Sequence, residues 1–101
     1  MTEGFKKLPT PAVVVELDIA WQNITKMLEE AKKHGLKHRP HVKTHRSSCL
    51  AKAQVRAGCS GICVAKLGGA EVMAEAGIDD IFVAYPIIGE DKLKRLLKLS
   101  E

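Results

Sequence analysis

The sequence predicts an α/β fold in which short parallel strands alternate with helices. Two apolar runs, ICVA (62–65) and IFVA (81–84), are nearly continuous, as is typical of strands that are covered on both faces of a sheet. Glycines divide most of the chain into three similar units, which begin at Gly35, Gly58 and Gly77. Each unit has a strand-like run followed by a helical pattern, and this alternation is typical of βαβ units in a parallel sheet.

The length of the chain limits which α/β architecture it can form. A complete (β/α)₈ barrel needs about 200–250 residues, whereas this chain has 101. The G-x-G-x-x-G spacing of a dinucleotide-binding fold is absent between the first strand and helix. We therefore predict that residues 1–101 form an incomplete barrel, with an N-terminal strand and about three βα units.

The first two elements lie between the two leading prolines and Gly35. The β-branched run PAVVVELD (11–18) predicts a strand, and Asp18 is the expected N-cap of the helix that follows. Gly35 is the expected stop of that helix. Apolar residues recur at steps of three and four along one helical face, which we expect to contribute to the core: Leu17, Trp21, Ile24, Leu28 and Ala31.

Each of the three later units contributes a strand and a helix. The predicted strands lie in LKHRPHVK (36–43), SGICVAK (60–66) and IDDIFVAYP (78–86). The predicted helices begin near Ser47, in LGGAEVMAEAG (67–77), and near Glu90.

Charge and composition restrict the class of ligand. The net charge is +4 and aromatic residues make up 4% of the chain. A mild positive excess favours small anions such as phosphates, but the basic residues lack the interleaved aromatics on which nucleic-acid bases stack. We therefore expect no nucleic-acid partner.

Cysteine usage and hydropathy indicate the compartment. The three cysteines are an odd number, which argues against a disulfide framework and favours reduced thiols in the cytoplasm. No apolar run approaches the ~20 residues of a membrane span, and the N-terminus lacks the apolar core of a signal peptide. We expect a cytoplasmic protein without a membrane partner.

The stretch HRPHVKTHR (38–46) concentrates ionisable groups around one lysine, Lys43. Reactive groups in βα proteins gather where strands run out into the following loop. Lys43, Lys66 and Tyr85 stand at such positions in the three predicted units. Lys43 is therefore a candidate for chemistry, although a lysine is more often a solvated surface charge.

The neighbours of Lys43 suggest what that chemistry is. Period-two alternation would place His41, Lys43 and His45 on one face of an extended chain. A partly buried, electropositive setting lowers the pKa of a lysine, and the neutral amine forms a Schiff base with a carbonyl. His41, His45, Arg39 and Arg46 are the expected sources of that positive charge or of contacts to an anionic cofactor.

A metal site is the rival interpretation of the histidines. His38, His41 and His45 are three and four residues apart, a spacing that would suit zinc on a helix. Pro40 and Val42 favour an extended chain instead, which separates His38 from the other two. We therefore predict no metal site in this stretch.

Three segments resemble one enzyme family. RPHVKTHR (39–46) resembles the RPHxKTHK signature of the D-threonine aldolase and D-serine dehydratase family. These are fold-type III pyridoxal-phosphate enzymes related to the N-terminal barrel of alanine racemase. TPAVVVELDIAWQNI (10–24) is similar to the family's TPxxVxDxxxLxxNI start, and GICVAKLGGAEVMAEAGIDDIFVAYPIIG (61–89) to its GIxxAKxxEAExxxxAGxxDIxxAYPxxG stretch. The matches occur in order over nearly the whole chain.

The resemblance implies a function and a set of site residues. Lys43 would be the catalytic lysine that holds pyridoxal phosphate as a Schiff base, with His41, Thr44 and Lys66 as further cofactor-binding residues. The implied reaction is retro-aldol cleavage of a D-3-hydroxy amino acid to glycine and an aldehyde. The alternatives are elimination of the D-serine dehydratase type and a non-catalytic binding module of the same fold.

The resemblance also implies what this chain lacks. Arg46 stands where the family usually has a second lysine, and arginine keeps the charge but changes the contacts. Members of the family have further parts outside the region that this chain resembles. These are the rest of the barrel, the C-terminal β-domain and the ligands of a divalent metal. We therefore expect an N-terminal portion of the enzyme with little turnover on its own. We also expect it to self-associate, and the intact enzyme to be a homodimer.

Overall fold

The computed structural model describes residues 3–101. Its elements follow one another as α1 (Glu3–Lys6), α2 (Leu17–Lys33), α3 (Ser48–Ala57), β1 (Ile62–Val64), α4 (Leu67–Glu75), β2 (Ile81–Val83) and α5 (Glu90–Ser100). Strands β1 and β2 pair in parallel, with Ile62 beside Ile81 and Val64 beside Val83. The predicted α/β class with parallel strands is confirmed.

A third extended segment pairs with β1 on the side away from β2. His41 forms an isolated parallel bridge with Cys63. Cys63 N donates to Pro40 O at 2.8 Å, and Val42 N donates to Cys63 O at 2.9 Å. The order across the sheet is therefore the His41 bridge, β1 and β2, with α4 crossing from β1 to β2. The predicted strand over 36–43 is reduced to this one bridge, because the chain turns at residues 42–45.

The core lies between this sheet and helices α3 and α4. Ile62 and Ala51 have no exposed surface, and Val42 and Val64 are 2% exposed. The alanines and glycines of α4 allow the helix to lie close to the strands. The other buried members of the core are Ala70, Met73 and Ile78. Val42, the residue before Lys43, is thus held in the core.

The predicted bounds of α3 are confirmed, and those of α2 in part. Ser47 caps α3, its Oγ accepting from Leu50 N at 3.2 Å. Helix α2 is followed by Gly35 in a left-handed conformation, at φ 65°, as expected for a helix stop. Asp18, however, lies in the first turn of α2, and Glu16 occupies the N-cap position without a side-chain cap bond. The predicted cap was therefore wrong.

Two predictions for the N-terminal region were wrong. Residues 11–16 form no strand, because a strand needs a neighbour to bond its N–H and C=O groups, and none lies beside this segment within residues 3–101. Val13 is accordingly 96% exposed. The apolar face of α2 was expected in the core, but α2 has no buried residue: Leu17 is 61% and Trp21 46% exposed.

None of the helices formed by residues 3–101 is both long and apolar enough to cross a membrane.

Candidate active-site cleft

A cleft of about 270 Å³ opens where the His41 bridge and β1 end and α4 begins. Its apolar walls come from Val42, Val64, Val72 and Met73. Three cationic side chains also line it: Lys43, Arg46 and Lys66. No carboxylate lines it among residues 3–101. The cleft therefore combines apolar walls with three positive charges, which suits an anionic ligand with an apolar body.

Lys43 and Lys66 occupy the position that parallel strands predict. Both follow strand ends at the same edge of the sheet, and both line the cleft. Lys43 is exposed, however, and not in the partly buried setting that we expected. Whether either lysine binds a cofactor stays a prediction.

His41 and Thr44 do not line the cleft. The expected alternation from His41 to His45 was wrong, because residues 42–45 form a turn in place of an extended strand. Thr44 lies exposed in this turn. His41 Nδ1 accepts from Lys43 N at 3.3 Å, so its imidazole contacts the backbone of the lysine. Their role in binding the cofactor also stays a prediction.

His45 links the turn to α3. Its Nδ1 accepts from Ser47 N at 2.9 Å, and its Nε2 lies 3.1 Å from Gln54 Oε1. Because a backbone N–H can only donate, Nδ1 is the acceptor and the neutral ring carries its proton on Nε2. Sequence reasoning missed Gln54, since an amide in the middle of α3 has no local signal that marks it as a partner of His45.

We expected Arg39 to contribute to the positive charge around Lys43, and this was wrong. Its Nη1 donates to Ile62 O at 3.1 Å and to Asp80 O at 3.3 Å. Its Nη2 lies 2.8 Å from Asp80 Oδ1. Ile62 begins β1 and Asp80 precedes β2, so this guanidinium lies at the end of the sheet opposite the cleft. Its role is structural.

Three groups outside the cleft lining have a shifted pKa. The hydrogen bond from Arg95 lowers the pKa of the Glu71 carboxyl, and the same bond raises the pKa of Arg95. This pair joins α4 to α5. Burial raises the pKa of the Cys59 thiol.

Within residues 3–101, no three His, Cys, Asp or Glu side chains are grouped closely enough to hold a metal ion.

The start of α4 adds to the positive character of the cleft. Lys66 occupies the N-cap position, and Gly68 and Gly69 form the first turn of this nine-residue helix. A Cβ on Gly68 would meet nothing within 4 Å, so this part of the turn is open to the cleft. Unbonded N–H groups and the helix dipole favour negative charge at such a terminus.

No family model matches the sequence, but individual proteins do. It is 38% identical over 96 residues to 3-hydroxy-D-aspartate aldolase of Paracoccus denitrificans. The matched region is 94% of this chain and 25% of that protein. It is 43% identical over 84 residues to D-threo-3-hydroxyaspartate dehydratase of Delftia sp. (strain HT23), which covers 83% of this chain and 22% of that protein. D-threonine aldolase of Arthrobacter sp. is 33% identical over 94 residues, 93% of this chain and 25% of that protein.

Solved structures agree with these relatives. D-threonine aldolase from Filomicrobium marinum superposes with a TM-score of 0.88 at 35% identity, covering 91% of this chain and 25% of that one. D-threo-3-hydroxyaspartate dehydratase from Delftia sp. HT23 superposes with a TM-score of 0.84 at 40% identity, covering 93% and 24%. The chain thus spans about a quarter of its relatives' length, and the partial fold is confirmed. The chain matches an N-terminal part of the proteins in one family, which contains D-threonine aldolase and the D-3-hydroxyaspartate aldolases and dehydratases.

Proposed function

We propose that this chain is the N-terminal part of a pyridoxal-phosphate-dependent lyase that cleaves D-3-hydroxy amino acids to glycine and an aldehyde. Lys43 is the residue that carries the cofactor. The observation that supports this most directly is the place of Lys43 in a cationic cleft at the carboxyl end of the sheet. The names of the relatives, which are aldolases and a dehydratase of D-hydroxy amino acids, support the substrate class.

The lining of the cleft fits pyridoxal phosphate. Lys43 supplies an amine for the aldehyde of the cofactor, and Arg46 and Lys66 supply positive charge for its phosphate and phenolate. Val42 and Val64 supply an apolar surface for the pyridine ring. His41 contributes through its bond to the backbone of Lys43. We retain Thr44 as a proposed contact on the resemblance alone.

Each of these residues has a separate role in the proposed site. When bound, the cofactor withdraws electrons from the bond that breaks. The amine of Lys43 would hold the cofactor in place at the mouth of the cleft. Arg46 and Lys66 offset negative charge at the rim, and the buried Val42 fixes the position of the turn beside the sheet. Since residues 3–101 contain no group of side chains that could hold a metal ion, a divalent metal would require other ligands.

Elimination of water is the second candidate reaction. The chain is 43% identical to a D-threo-3-hydroxyaspartate dehydratase, against 38% for the aldolase, so its sequence supports both. The product distinguishes them, because an aldolase releases glycine and a dehydratase releases ammonia and a 2-oxo acid. A non-catalytic module of the same fold is the remaining alternative.

Reductive labelling tests the role of Lys43 without turnover. The chain is incubated with pyridoxal phosphate, reduced with borohydride, digested and mapped by mass spectrometry. We expect the label to be concentrated on the peptide that contains Lys43, because this amine lines the cationic cleft. A Lys43→Arg variant should lose that label, and Lys32→Arg, a change in the last turn of α2, should not. Equal labelling of many lysines would contradict the proposal.

The partners and the compartment are also proposals. We propose that the substrate is a small D-amino acid, that the protein is cytoplasmic, and that it has neither nucleic-acid nor membrane partners. We propose that the isolated chain self-associates, since many large apolar side chains are exposed: Val13, Phe82, Ile88 and Leu97 are all more than half exposed. Sedimentation over a hundredfold range of concentration tests this, and a monomer throughout would contradict it. The intact enzyme is proposed to be a homodimer.

A further inference from the structure

We propose that His45 is a positioning residue, which holds the turn at residues 42–46 in the conformation that places Lys43 in the cleft. This inference rests on the role proposed for Lys43. His45 itself does not line the cleft, so it would act through the backbone and not by contact with a ligand.

The turn ends in a backbone conformation that needs support. Arg46 has a φ of 52°, in the left-handed region that residues other than glycine rarely adopt. Arg46 N donates to Val42 O at 2.8 Å, which closes the turn around Lys43. An outlier of this kind persists only when its surroundings impose it.

His45 supplies that support from the other side of Arg46. The bond from Ser47 N to His45 Nδ1, at 2.9 Å, closes a ring that encloses the backbone of Arg46. This is the geometry of an Asx-turn, in which a side chain accepts from the N–H two residues on. The imidazole thus occupies the place that an Asn or Asp oxygen has in such turns.

A second bond ties this ring to a helix. The Nε2–H of His45 donates to Gln54 Oε1 at 3.1 Å, and Gln54 lies in α3. Ser47 is also the residue whose hydroxyl caps α3. His45 therefore joins the end of the turn to the start and the middle of the helix. Without it, Arg46 would be expected to relax to a negative φ, and the turn would shift Lys43 relative to Val64 and Lys66 across the cleft.

The test measures the labelling of Lys43 by pyridoxal phosphate relative to Lys32 in a set of variants. Since one hydrogen bond is worth about 1 kcal/mol, His45→Ala should lower the ratio by about 3- to 10-fold. His45→Asn, whose Oδ1 can accept from Ser47 N but cannot reach Gln54, should restore the ratio to within about 2- to 3-fold of the unaltered chain. Gln54→Met, which keeps that bond and removes only the tie to α3, should lower it by about 2- to 3-fold.

The matched control changes the residue that the ring encloses. Glycine adopts a positive φ without steric cost, so in an Arg46→Gly background His45→Ala should lower the ratio by less than about twofold. A merely structural role of His45 would give the same loss in both backgrounds. An equal loss in both, or an unchanged ratio in His45→Ala with Arg46 present, would overturn the inference.

Hydrogen exchange separates this inference from the proposed function. His45→Ala should increase the exchange rate of the Ser47 amide, whereas Gln54→Met should affect it less. If Lys43 of the unaltered chain is not labelled selectively, the proposed function is wrong. If it is, but the Ser47 amide exchanges at the same rate with and without His45, the positioning role is wrong.

Discussion

Arg39 and Asp80, 41 residues apart in sequence, form an ion pair of 2.8 Å that joins the starts of the strands. Through its second nitrogen, Arg39 also donates to the carbonyl oxygens of Ile62 and Asp80. One guanidinium thus binds the segment before His41 to β1 and to the residue before β2. The cleft lies at the other end of the sheet, so this contact supports the site without entering it.

Removal of this guanidinium should destabilise the sheet. Arg39→Met removes the bonds from Arg39 to Ile62 O, Asp80 O and the Asp80 carboxylate, and bonds to charged groups are worth about 1.5–3 kcal/mol. Since Arg39 is about one-third exposed, we expect a loss of about 1–2 kcal/mol in urea unfolding. The control is Lys94→Met, which removes an exposed pair with Glu90 and should cost about 0.5 kcal/mol or less. Equal losses would contradict the structural role of Arg39.

Gly61 should not tolerate a side chain. It has a φ of 153°, and a Cβ there would lie 2.5 Å from Arg39 Nη1 and 2.6 Å from Asp80 O. Gly61→Ala should therefore displace the guanidinium and reduce the free energy of unfolding by about 2 kcal/mol or more. Gly68→Ala is the matched control, because its Cβ would meet nothing within 4 Å. A Gly61→Ala variant as stable as this control would show that the contact is not tight.

The Glu71–Arg95 pair should make stability depend on pH. The hydrogen bond from Arg95 lowers the pKa of Glu71 in the folded chain, so the pair stabilises the fold above the unfolded-state pKa. That stabilisation is lost as the pH falls through the lower folded-state pKa. Glu71→Gln should therefore be less stable than the unaltered chain at pH 7. The difference should shrink once the pH falls below the ordinary value of 4.5. A difference that stays constant down to pH 2.5 would contradict the ion pair.

The local parts of the fold could be predicted from the sequence. The start of α3 at a capping serine, its end before Gly58 and the stop of α2 near Gly35 depend on neighbours in the chain. The parallel strands at ICV and IFV follow from their apolar runs. The same topology placed Lys43 and Lys66 at one edge of the sheet, because the carboxyl ends of parallel strands meet there.

The remaining parts depend on contacts that no local pattern reveals. PAVVVELD has the composition of a strand, but strand formation also needs a partner, and none lies beside residues 11–16 within the described chain. The charge of Arg39 and its place near Lys43 in the sequence predicted a role in the site. Its true partner, Asp80, is 41 residues away, and no local pattern indicates that pairing. The alternation through His45 failed because hydrogen bonds of the side chain to Ser47 and Gln54 favour a turn.

A hybrid enzyme tests most directly whether this chain is the lysine-bearing part of a D-hydroxy amino acid lyase. This chain replaces the matching quarter of 3-hydroxy-D-aspartate aldolase of Paracoccus denitrificans, and glycine release from D-3-hydroxyaspartate is measured once circular dichroism has shown that the hybrid is folded. We expect activity in the hybrid and a loss of at least about 10³-fold in its folded Lys43→Ala variant, since the residue that carries the cofactor is then absent. A folded hybrid without activity, or a Lys43→Ala variant as active as its parent, would contradict the claim.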